Sequence, residues 1–350
     1  MNFELKYMQR CLQLAEYGAG YVAPNPMVGA VLIANGIIIG EGYHRRYGEA
    51  HAEPNAINSV KDKKLLKEST LYVNLEPCSH HGLTPPCANL IVKNKIPKVV
   101  IGTLDPNPIV AGRGVEILRN AGIEVIVGVL EQECRELNKR FFIFQEQKRP
   151  YILLKWAQTL DGFIDRKRTD ANELPLIISN NITKKLTHQM RSENQAILVG
   201  TRTVLLDNPS LTVRNWSGKS PIRVAIDRTD QIPSDFKLLD GSISTIIFTE
   251  IEKANQPLVE YIKIDFNSDF LNNVLQVLYN RNIHSVMIEG GTQLLTSFIQ
   301  SGMWDEANIE IAPFEISDGI KAPIICNLPI SQKSFEGHQW LQLKNNTANF

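Results

Sequence analysis

The sequence lacks long apolar runs and any excess of charge. No stretch reaches the roughly 18 consecutive apolar residues that a membrane-spanning helix requires, and residues 1–10 carry charges where a secretion signal has an apolar segment. Lysine plus arginine number 37, as do aspartate plus glutamate, so the formal net charge is zero. Neither a nucleic acid nor an acidic membrane is therefore the expected partner. We expect a cytoplasmic protein that acts on a small molecule.

Cysteine is also scarce. Five cysteines in 350 residues, an odd number at irregular spacing, do not form a disulfide framework, so reduced thiols are expected. Cys11, Cys134 and Cys326 have no partner motif and are predicted to be small buried side chains. Cys78 and Cys87 remain as candidates for chemistry.

The length of the chain predicts two domains, because a single core rarely grows to 350 residues. Strand and helix patterns alternate on both sides of the polar segment 145–150, which places a linker there and the domains at 1–147 and 150–350. Such alternation predicts α/β sheets. The segment after Ser331 has no clear pattern. The predicted strands are 28–33, 37–42, 70–75, 98–102, 124–129, 151–157, 196–199, 222–226, 245–248 and 285–289. The predicted helices cover 3–18, 115–121, 131–144 and 293–300, with two more opening at His51 and after Cys87.

One constellation in the first half predicts a zinc site. His51 and Glu53 form a His-x-Glu motif, Cys78 follows a proline, and Cys87 comes nine residues later. Imidazole and thiolates are zinc ligands, and three protein ligands leave open the fourth position that a catalytic site needs. The ligands are predicted at strand-to-helix junctions, where helix N-termini favour thiolates. Glu53 then stays outside the ligand set and moves protons, as in zinc nucleobase deaminases.

Other interpretations of these residues remain open. A structural zinc site would need a fourth ligand, for which His80 or His81 is the candidate. A buried histidine with two unrelated cysteines is a further alternative. From another class, the chain could be a zinc-stabilised nucleic-acid binder, although its neutral charge disfavours this. A transfer-RNA adenosine deaminase would share the zinc chemistry.

Longer motifs carry a family resemblance. They are Pro24–Gly29, Glu41–His44, His51–Glu53, Leu75–Cys87, Asp105–Pro108 and Ala111–Gly114. Over residues 5–315 the chain resembles the bifunctional riboflavin biosynthesis deaminase-reductases. The resemblance implies a cytidine-deaminase-like three-layer α/β/α domain followed by a dihydrofolate-reductase-like α/β domain. It also implies a homodimer paired through the second domain.

The same resemblance implies two reactions. The first is zinc-dependent hydrolytic deamination of a diamino-hydroxy-phosphoribosylaminopyrimidine, and the second is NADPH-dependent reduction of the ribosyl group to a ribityl chain. The implied substrate-binding residues are Asn25, His44, His80, Asp105 and Asn107 in the first domain, and Lys155, Arg191, Leu211, Arg214 and Glu289 in the second. The implied cofactor-binding residues are Ala157, Gly200, Thr203, Asp207, Gly290, Gly291 and Thr292.

Two of these implied roles have a physical basis in the sequence. Arginine forks such as those of Arg191 and Arg214 match phosphate geometry. The apolar strand that runs through Gly290 and Gly291 into a helix can present backbone N–H groups to a phosphate. A glycine pair is also often only a tight turn, and without a G-x-G-x-x-G motif a Rossmann domain is not supported.

Several positions depart from the family pattern. Leu83 replaces a basic residue suited to phosphate, which Arg45 or Arg46 would then have to supply. Residues 172–179 lack the expected tryptophan, and 316–350 lack a Leu-Gly-Gly pattern. Arg228 replaces a small hydroxyl residue and could engage the extra phosphate of NADPH. A deaminase with a weak or merely structural second domain is therefore the main alternative, with another zinc nucleobase deaminase behind it.

Overall fold

A computed structural model describes residues 3–80, 85–107, 111–170 and 172–345. The chain divides into two compact units, Met1–Lys148 and Arg149–Phe350. In the polar segment expected to be a linker, Gln145–Gln147 still belong to a helix. None of the helices in the described ranges is both long and apolar enough to span a membrane.

The first unit consists of a five-stranded sheet and its helices. The strands are β1 (Gly29–Ala34), β2 (Ile37–Tyr43), β3 (Thr70–Leu75), β4 (Lys98–Thr103) and β5 (Glu124–Val127). The helices are α1 (Phe3–Glu16), α2 (Ala52–Ser59), α3 (Cys87–Lys93), α4 (Arg113–Asn120), α5 (Glu131–Leu137) and α6 (Lys139–Gln147), with a 3₁₀ helix at Lys63–Glu68. The sheet order is β2-β1-β3-β4-β5, and β1 is antiparallel to both of its neighbours while β3, β4 and β5 are parallel.

Alternating residues of the strands face two separate cores, as expected for a sheet covered on both sides. Leu32 belongs to the core that includes α2, α3 and α4, whereas Val31 belongs to the core that includes α1 and Cys134 of α5. The predicted three-layer α/β/α architecture is confirmed. Close backbone approach positions α2, because a Cβ on Gly42 would lie 2.3 Å from the backbone nitrogen of Ala56.

The prediction of one helix over 131–144 is wrong at its centre. Asn138 separates α5 from α6, and its side chain is buried. Its Oδ1 accepts from the Met27 N–H at 2.8 Å, and its Nδ2 donates to the Met27 carbonyl at 2.8 Å. The side-chain amide thus holds the segment that leads into β1, while the backbone of Asn138 still bonds to Arg135 and Phe142 across the break.

The second unit consists of a nine-stranded sheet, a two-stranded sheet and four α-helices among its described residues. The strands are β6 (Tyr151–Gln158), β7 (Phe163–Asp165), β8 (Ala196–Val199), β9 (Ile222–Ile226), β10 (Thr245–Thr249), β11 (Val259–Lys263), β12 (Ser285–Glu289), β13 (Glu306–Ile311), β14 (Ile320–Lys321), β15 (Pro329–Phe335) and β16 (His338–Lys344). The helices are α7 (Asn181–Glu193), α8 (Thr201–Asp207), α9 (Phe270–Asn280) and α10 (Thr292–Ser301), with a 3₁₀ helix at Lys237–Leu239.

The large sheet has the order β11-β10-β9-β8-β12-β6-β13-β16-β15. Strands β6 and β8–β13 run parallel, whereas β16 is antiparallel to β13 and β15 is antiparallel to β16. The carboxyl ends of the parallel strands therefore lie at one edge, which is where ligands bind in open α/β sheets. Strands β7 and β14 pair separately.

The segment after Ser331 forms most of the hairpin β15–β16. Its strands escaped prediction because β15 is an edge strand with mostly exposed residues, so no apolar alternation marks it. The prediction that Cys326 is buried is wrong: it is exposed, in an irregular segment between β14 and β15. Cys11 and Cys134 are buried as predicted.

Candidate metal centre and ligand cavity

Three predicted zinc ligands converge in the first unit. His51 is the N-cap of α2, Cys87 is the first residue of α3, and Cys78 lies in the loop after β3. Their ligand atoms all lie within 4.8 Å of one another. Cys78 does not itself precede a helix, but the backbone N–H of Cys87 donates to its Sγ at 3.3 Å, so the start of α3 still contacts it.

The spacing of these atoms fits a zinc ion. Zn–N and Zn–S bonds of about 2.0 and 2.3 Å at tetrahedral angles separate nitrogen from sulfur by about 3.5 Å. Nδ1 of His51 lies 3.6 Å from Sγ of Cys78 and 3.4 Å from Sγ of Cys87. His80, the alternative fourth ligand, is exposed and outside this group, while His81 lies outside the described residues. Among the described residues the group thus has three protein ligands, the number typical of a catalytic zinc site.

The surroundings of the centre shift the pKa values of Cys78 and Glu53 in opposite directions. Hydrogen bonds from Cys87 and His51 lower the pKa of Cys78 to about 4. Burial, reinforced by the charge of the Cys78 sulfur, raises the pKa of Glu53 to about 7. Glu53 is 3% exposed in the first turn of α2 and is not part of the ligand group.

Asn25 and His44 lie together beside the metal ligands. The rings of His44 and His51 are 5.3 Å apart, edge to face. Nδ1 of His44 lies 3.1 Å from the Ala50 carbonyl, and its Nε2 lies 3.2 Å from Nδ2 of Asn25. Since the carbonyl can only accept and the amide nitrogen can only donate, His44 is a neutral imidazole protonated at Nδ1. Burial also lowers its pKa.

Asp105 and Asn107 form a turn that depends on a residue to which the sequence assigned no role. The Asn107 N–H donates to Oδ1 of Asp105 at 2.8 Å. The buried carboxylate of Glu76 accepts from the backbone N–H groups of Asp105, Gly112 and Val115 at 3.0–3.2 Å. Glu76 therefore joins the loop after β4 to the start of α4, close in sequence to Cys78.

The positions relevant to phosphate binding in the first unit are those of Leu83, Arg45 and Arg46. Leu83 lies outside the described residues. Arg45 and Arg46 are exposed, and their guanidinium groups lie over the rings of Tyr43 and Tyr21 at 5.8 and 5.7 Å. Both arginines are thus accessible to an anion.

The second unit holds a cavity of about 1400 Å³ at the carboxyl ends of its parallel strands. Its wall includes most of the residues predicted there, namely Lys155, Ala157, Arg191, Gly200, Thr203, Asp207, Arg214, Glu289, Gly290, Gly291 and Thr292. Leu211 is the exception, because its side chain packs into the core beside Val199 and Val204.

The polar end of the cavity contains a paired arginine and a lysine. Arg191 donates to both carboxylate oxygens of Glu289 at 2.8 and 2.9 Å, and to the Thr212 carbonyl at 3.1 Å. Lys155 is opposite Glu289 in the sheet register and is 5% exposed. Burial lowers the pKa of Lys155, while the charge of Glu289 opposes this shift.

Arg214 and His188 complete that end. The Arg214 N–H donates to Nδ1 of His188 at 3.0 Å, so this nitrogen carries no proton. Burial and the charges of Arg191 and Arg214 lower the pKa of His188 to about 4. The histidine lines the cavity although its sequence context gave no indication of it.

The glycine pair forms the turn between β12 and α10, in the wall of the cavity. Gly290 and Gly291 both have positive φ, 87° and 76°, and α10 begins at the next residue. A Cβ on Gly290 would lie 3.2 Å from Cγ2 of Thr203, so the turn fits closely against α8. Bare backbone and a helix N-terminus meet there, as a dinucleotide phosphate requires.

The remaining wall contains Arg168, to which the sequence assigned no role, together with Arg228 and part of segment 172–179, which depart from the family pattern. Arg168 is almost fully buried and forms ion pairs with Asp165 and Asp207, so the carboxylate of Asp207 already has a partner. Arg228 pairs with Glu250 at 2.9 Å. Residues 175–179 also line the cavity. This is the segment that lacks the tryptophan expected from the family, and Ile177 is exposed there.

Comparison with known proteins identifies the family. Residues 150–347 match the model of the RibD C-terminal domain, and residues 1–103 match that of the cytidine and deoxycytidylate deaminase zinc-binding region. The riboflavin biosynthesis protein RibD of Aquifex aeolicus is 44% identical over 324 residues, which cover 91% of this chain and 89% of that protein. The chain belongs to the RibD family. RibD of Escherichia coli is 35% identical over 352 residues, covering 95% of this chain and 94% of its own.

Solved structures agree with membership of the RibD family. A diaminohydroxyphosphoribosylaminopyrimidine deaminase/5-amino-6-(5-phosphoribosylamino)uracil reductase from Thermotoga maritima is 37% identical, with a TM-score of 0.87 over 98% of this chain and 99% of that one. RibD of Acinetobacter baumannii is 30% identical, with a TM-score of 0.89 over 99% of both chains. The resemblance drawn from the motifs is confirmed. The chain is a bifunctional deaminase and reductase of riboflavin biosynthesis, with zinc and NADPH as its cofactors.

Zinc analysis tests the ligand set. Purified protein is expected to hold about one zinc per chain by mass spectrometry, since the three ligands define one site. Cys78→Ser and Cys87→Ser should each lose most of it, because a neutral hydroxyl is a poor replacement for a thiolate. Cys326→Ser, which removes an exposed cysteine in the other unit, should retain full zinc. Equal zinc in all three variants would rule out this centre.

Proposed function

We propose that the first unit, 1–147, removes the exocyclic amino group of the diaminopyrimidine as ammonia, with His51, Cys78 and Cys87 holding zinc and Glu53 moving protons. When bound, zinc supplies a Lewis acid that lowers the pKa of water toward neutral. The observation that carries this proposal is the convergence of the three ligand atoms within 4.8 Å while a buried carboxyl lies outside them.

Glu53 is suited to transfer protons in both directions. Its buried carboxyl follows His51 by two residues and stays outside the ligand group, so it can accept a proton from water and release it to the ring nitrogen or the leaving amine. Because the side chain is 3% exposed, bulk water does not compete for the proton. One carboxyl group can serve both transfers in sequence.

Neighbouring polar groups in the first unit bind the substrate in this proposal. Asn25 and neutral His44 present an amide and an imidazole beside the metal ligands, and both can hydrogen-bond a pyrimidine edge. Asp105 and Asn107 form the turn that faces the ribose phosphate, and exposed His80 also contributes to that end.

We propose that the second unit, 150–350, reduces the ribosyl group to a ribityl chain. When bound, NADPH would supply the hydride that reduces the anomeric carbon, and the ring oxygen would have to gain a proton for the ring to open. Lys155 holds a proton near that oxygen, and Glu289 fixes the ribose hydroxyls. Arg191 and Arg214 bind the phosphate, supported by their position at one end of the cavity. Leu211 does not line the cavity, and its side chain packs in the core, where it supports the segment that leads to Arg214.

The cofactor occupies the other part of the cavity in this proposal. The Gly290–Gly291 turn and Thr292, where α10 begins, would hold its pyrophosphate through backbone N–H groups. Thr203 and Asp207 of α8, Gly200 at its N-cap and Ala157 of β6 line the same cavity and would contact the cofactor. The presence of these groups in one cavity favours two active units over a merely structural second unit.

Replacement of Glu53 tests the proton transfer. Glu53→Gln should lower ammonia release from the diaminopyrimidine by about 10²-fold or more, the typical contribution of acid–base catalysis. Its zinc content should stay at the wild-type value, because Glu53 is not a ligand. Glu68→Gln, an exposed glutamate of the same unit, is the matched control and should release ammonia normally. Undiminished ammonia release by Glu53→Gln would end the proposal.

Replacement of Lys155 separates the two activities. With the deaminated substrate, Lys155→Met should oxidise NADPH at least about 10²-fold more slowly, since it removes the ammonium that holds the proton. Its ammonia release from the diaminopyrimidine should be unchanged. Lys185→Met, on the exposed side of α7, should oxidise NADPH like the wild type. A wild-type chain without any substrate-dependent NADPH oxidation would instead support the deaminase-only alternative.

We also propose that the protein works in the cytoplasm as a homodimer paired through the second unit. The described part of that unit exposes Ile324, Leu328 and Ile330 in neighbouring positions, and such apolar side chains are often covered by a second subunit. Sedimentation equilibrium should give twice the chain mass. A monomer at micromolar concentration would contradict this proposal.

A further inference from the structure

A buried carboxylate near the end of β13 anchors the start of α7. Glu310 has no exposed surface. Its Oε2 accepts from the Ser179 hydroxyl at 2.6 Å, and its Oε1 accepts from the Thr183 hydroxyl at 2.7 Å. Nδ1 of His338 lies 2.9 Å from the same Oε1. Three side chains from two distant parts of the chain therefore share one carboxylate.

The hairpin β15–β16 adds a second contact to the same place. Asn180 is the N-cap of α7, and its Oδ1 accepts from the N–H groups of Ile182 and Thr183. Its Nδ2 donates to the carbonyl of Phe335 at 2.9 Å, at the turn of the hairpin. His338 follows that turn directly. The end of the hairpin thus fixes both the cap residue and the carboxylate.

Helix α7 carries one whole side of the cavity. Lys184, Thr187, His188 and Arg191 all line it, and their spacing places them on one face of the helix. The helix is also held at its other end, where Arg191 is paired with Glu289. Two carboxylates on the strands either side of β6, buried Glu310 and partly buried Glu289, therefore hold the two ends of the same helix.

Lys155 on β6 lies between these two carboxylates. Glu289 is its neighbour in the register of β12, and on the other side Glu310 is the partner of Ala157, two residues further along β6. The charges of both glutamates act on the Lys155 ammonium. Glu310 does not line the cavity, and its two oxygens are occupied by the three side chains already named.

We propose that Glu310 is a positioning residue of the reductase site, which holds the α7 face that carries His188 and Arg191 at the correct distance from Lys155 and so sets the affinity for the phosphorylated substrate. This inference rests on the proposed reductase function. It separates substrate binding from most of the cofactor binding, because the proposed cofactor residues other than Ala157 of β6 lie on α8 and its N-cap, on the glycine turn and at the start of α10, rather than on α7.

The test is the isosteric substitution Glu310→Gln. A glutamine offers one acceptor oxygen, so an NH2 group that can only donate replaces the other oxygen, and the hydroxyl that it faces must reverse its hydrogen bond. We expect the KM for 5-amino-6-(5-phosphoribosylamino)uracil to rise about tenfold, the usual scale for loss of a hydrogen bond to a charged group. The KM for NADPH should remain within about twofold. Calorimetric titration of that uracil without NADPH should show the same loss of affinity.

A matched control lies at the other end of the same strand. Asp305 precedes β13, is fully buried, and accepts from Arg149 and from the Ile152 N–H at 2.7 Å. Asp305→Asn should lower the thermal unfolding midpoint of the second unit as Glu310→Gln does, yet leave the KM for the uracil unchanged. An equal rise of the KM for substrate in both variants, or of the KM for NADPH in Glu310→Gln, would overturn the proposal in favour of general destabilisation.

Two milder variants keep the test decisive if Glu310→Gln does not fold. Ser179→Ala and Thr183→Val each remove one donor to the carboxylate, and each should weaken binding of the uracil while leaving NADPH binding intact. Wild-type affinity in both would sink the inference. Failure of the wild-type chain itself to oxidise NADPH with this uracil would instead refute the proposed reductase function.

Discussion

The metal centre depends on close contact between backbone segments. Gly114, near the start of α4, lies so near the carbonyl of Pro77 that a Cβ would come within 2.1 Å of it. Gly42 allows a similar approach of β2 to α2. These contacts fix the loop that carries Cys78 and the helix that follows His51, so that a site of a few ångströms is built from segments far apart in sequence. A looser packing would spread the ligands beyond the reach of one ion.

In both units, carboxylates hold together segments that are distant in the sequence. Glu76, Glu310 and Asp305 are buried, and each accepts from two or more residues distant in sequence, whereas partly buried Glu289 accepts both of its bonds from Arg191. A buried charge is tolerated only when its hydrogen-bonding capacity is filled, so each of them enforces one arrangement of the surrounding backbone. The cost of a misplaced partner is high, which suits places where a catalytic geometry must be reproduced.

Local sequence patterns predicted the parts of the molecule that are defined by neighbours in the chain. The apolar strands 70–75, 196–199, 222–226 and 285–289 match the structure, and so does the hairpin with Asn35 and Gly36 at its turn. The zinc ligands were predictable because metal chemistry restricts residue type and spacing together. Hairpin β15–β16 was not, since an exposed edge strand needs no apolar alternation.

Side-chain contacts between residues distant in the sequence could not be predicted. Nothing near Glu310 in the sequence indicates that Ser179 and His338 will meet there, because β13 alternates polar and apolar residues like a strand with one solvent-facing side, although nearly all of its residues are buried. The pairing of Arg168 with Asp207 and the role of Asn138 are similar cases. Such partners become visible only when the sheet order is known, because that order decides which strand ends are adjacent.

The position of the hairpin also bears on how the chain folds during synthesis. Ser179 and Asn180 bond to residues 131 and 155 positions later, so the ribosome must translate most of the second unit before the start of α7 has its partners. The first unit can fold earlier, since domains generally fold as units in order of synthesis. Contacts of such long sequence separation also slow folding. A nascent chain halted before residue 335 would thus carry a formed metal centre beside an unfinished second unit that is open to chaperones and proteases.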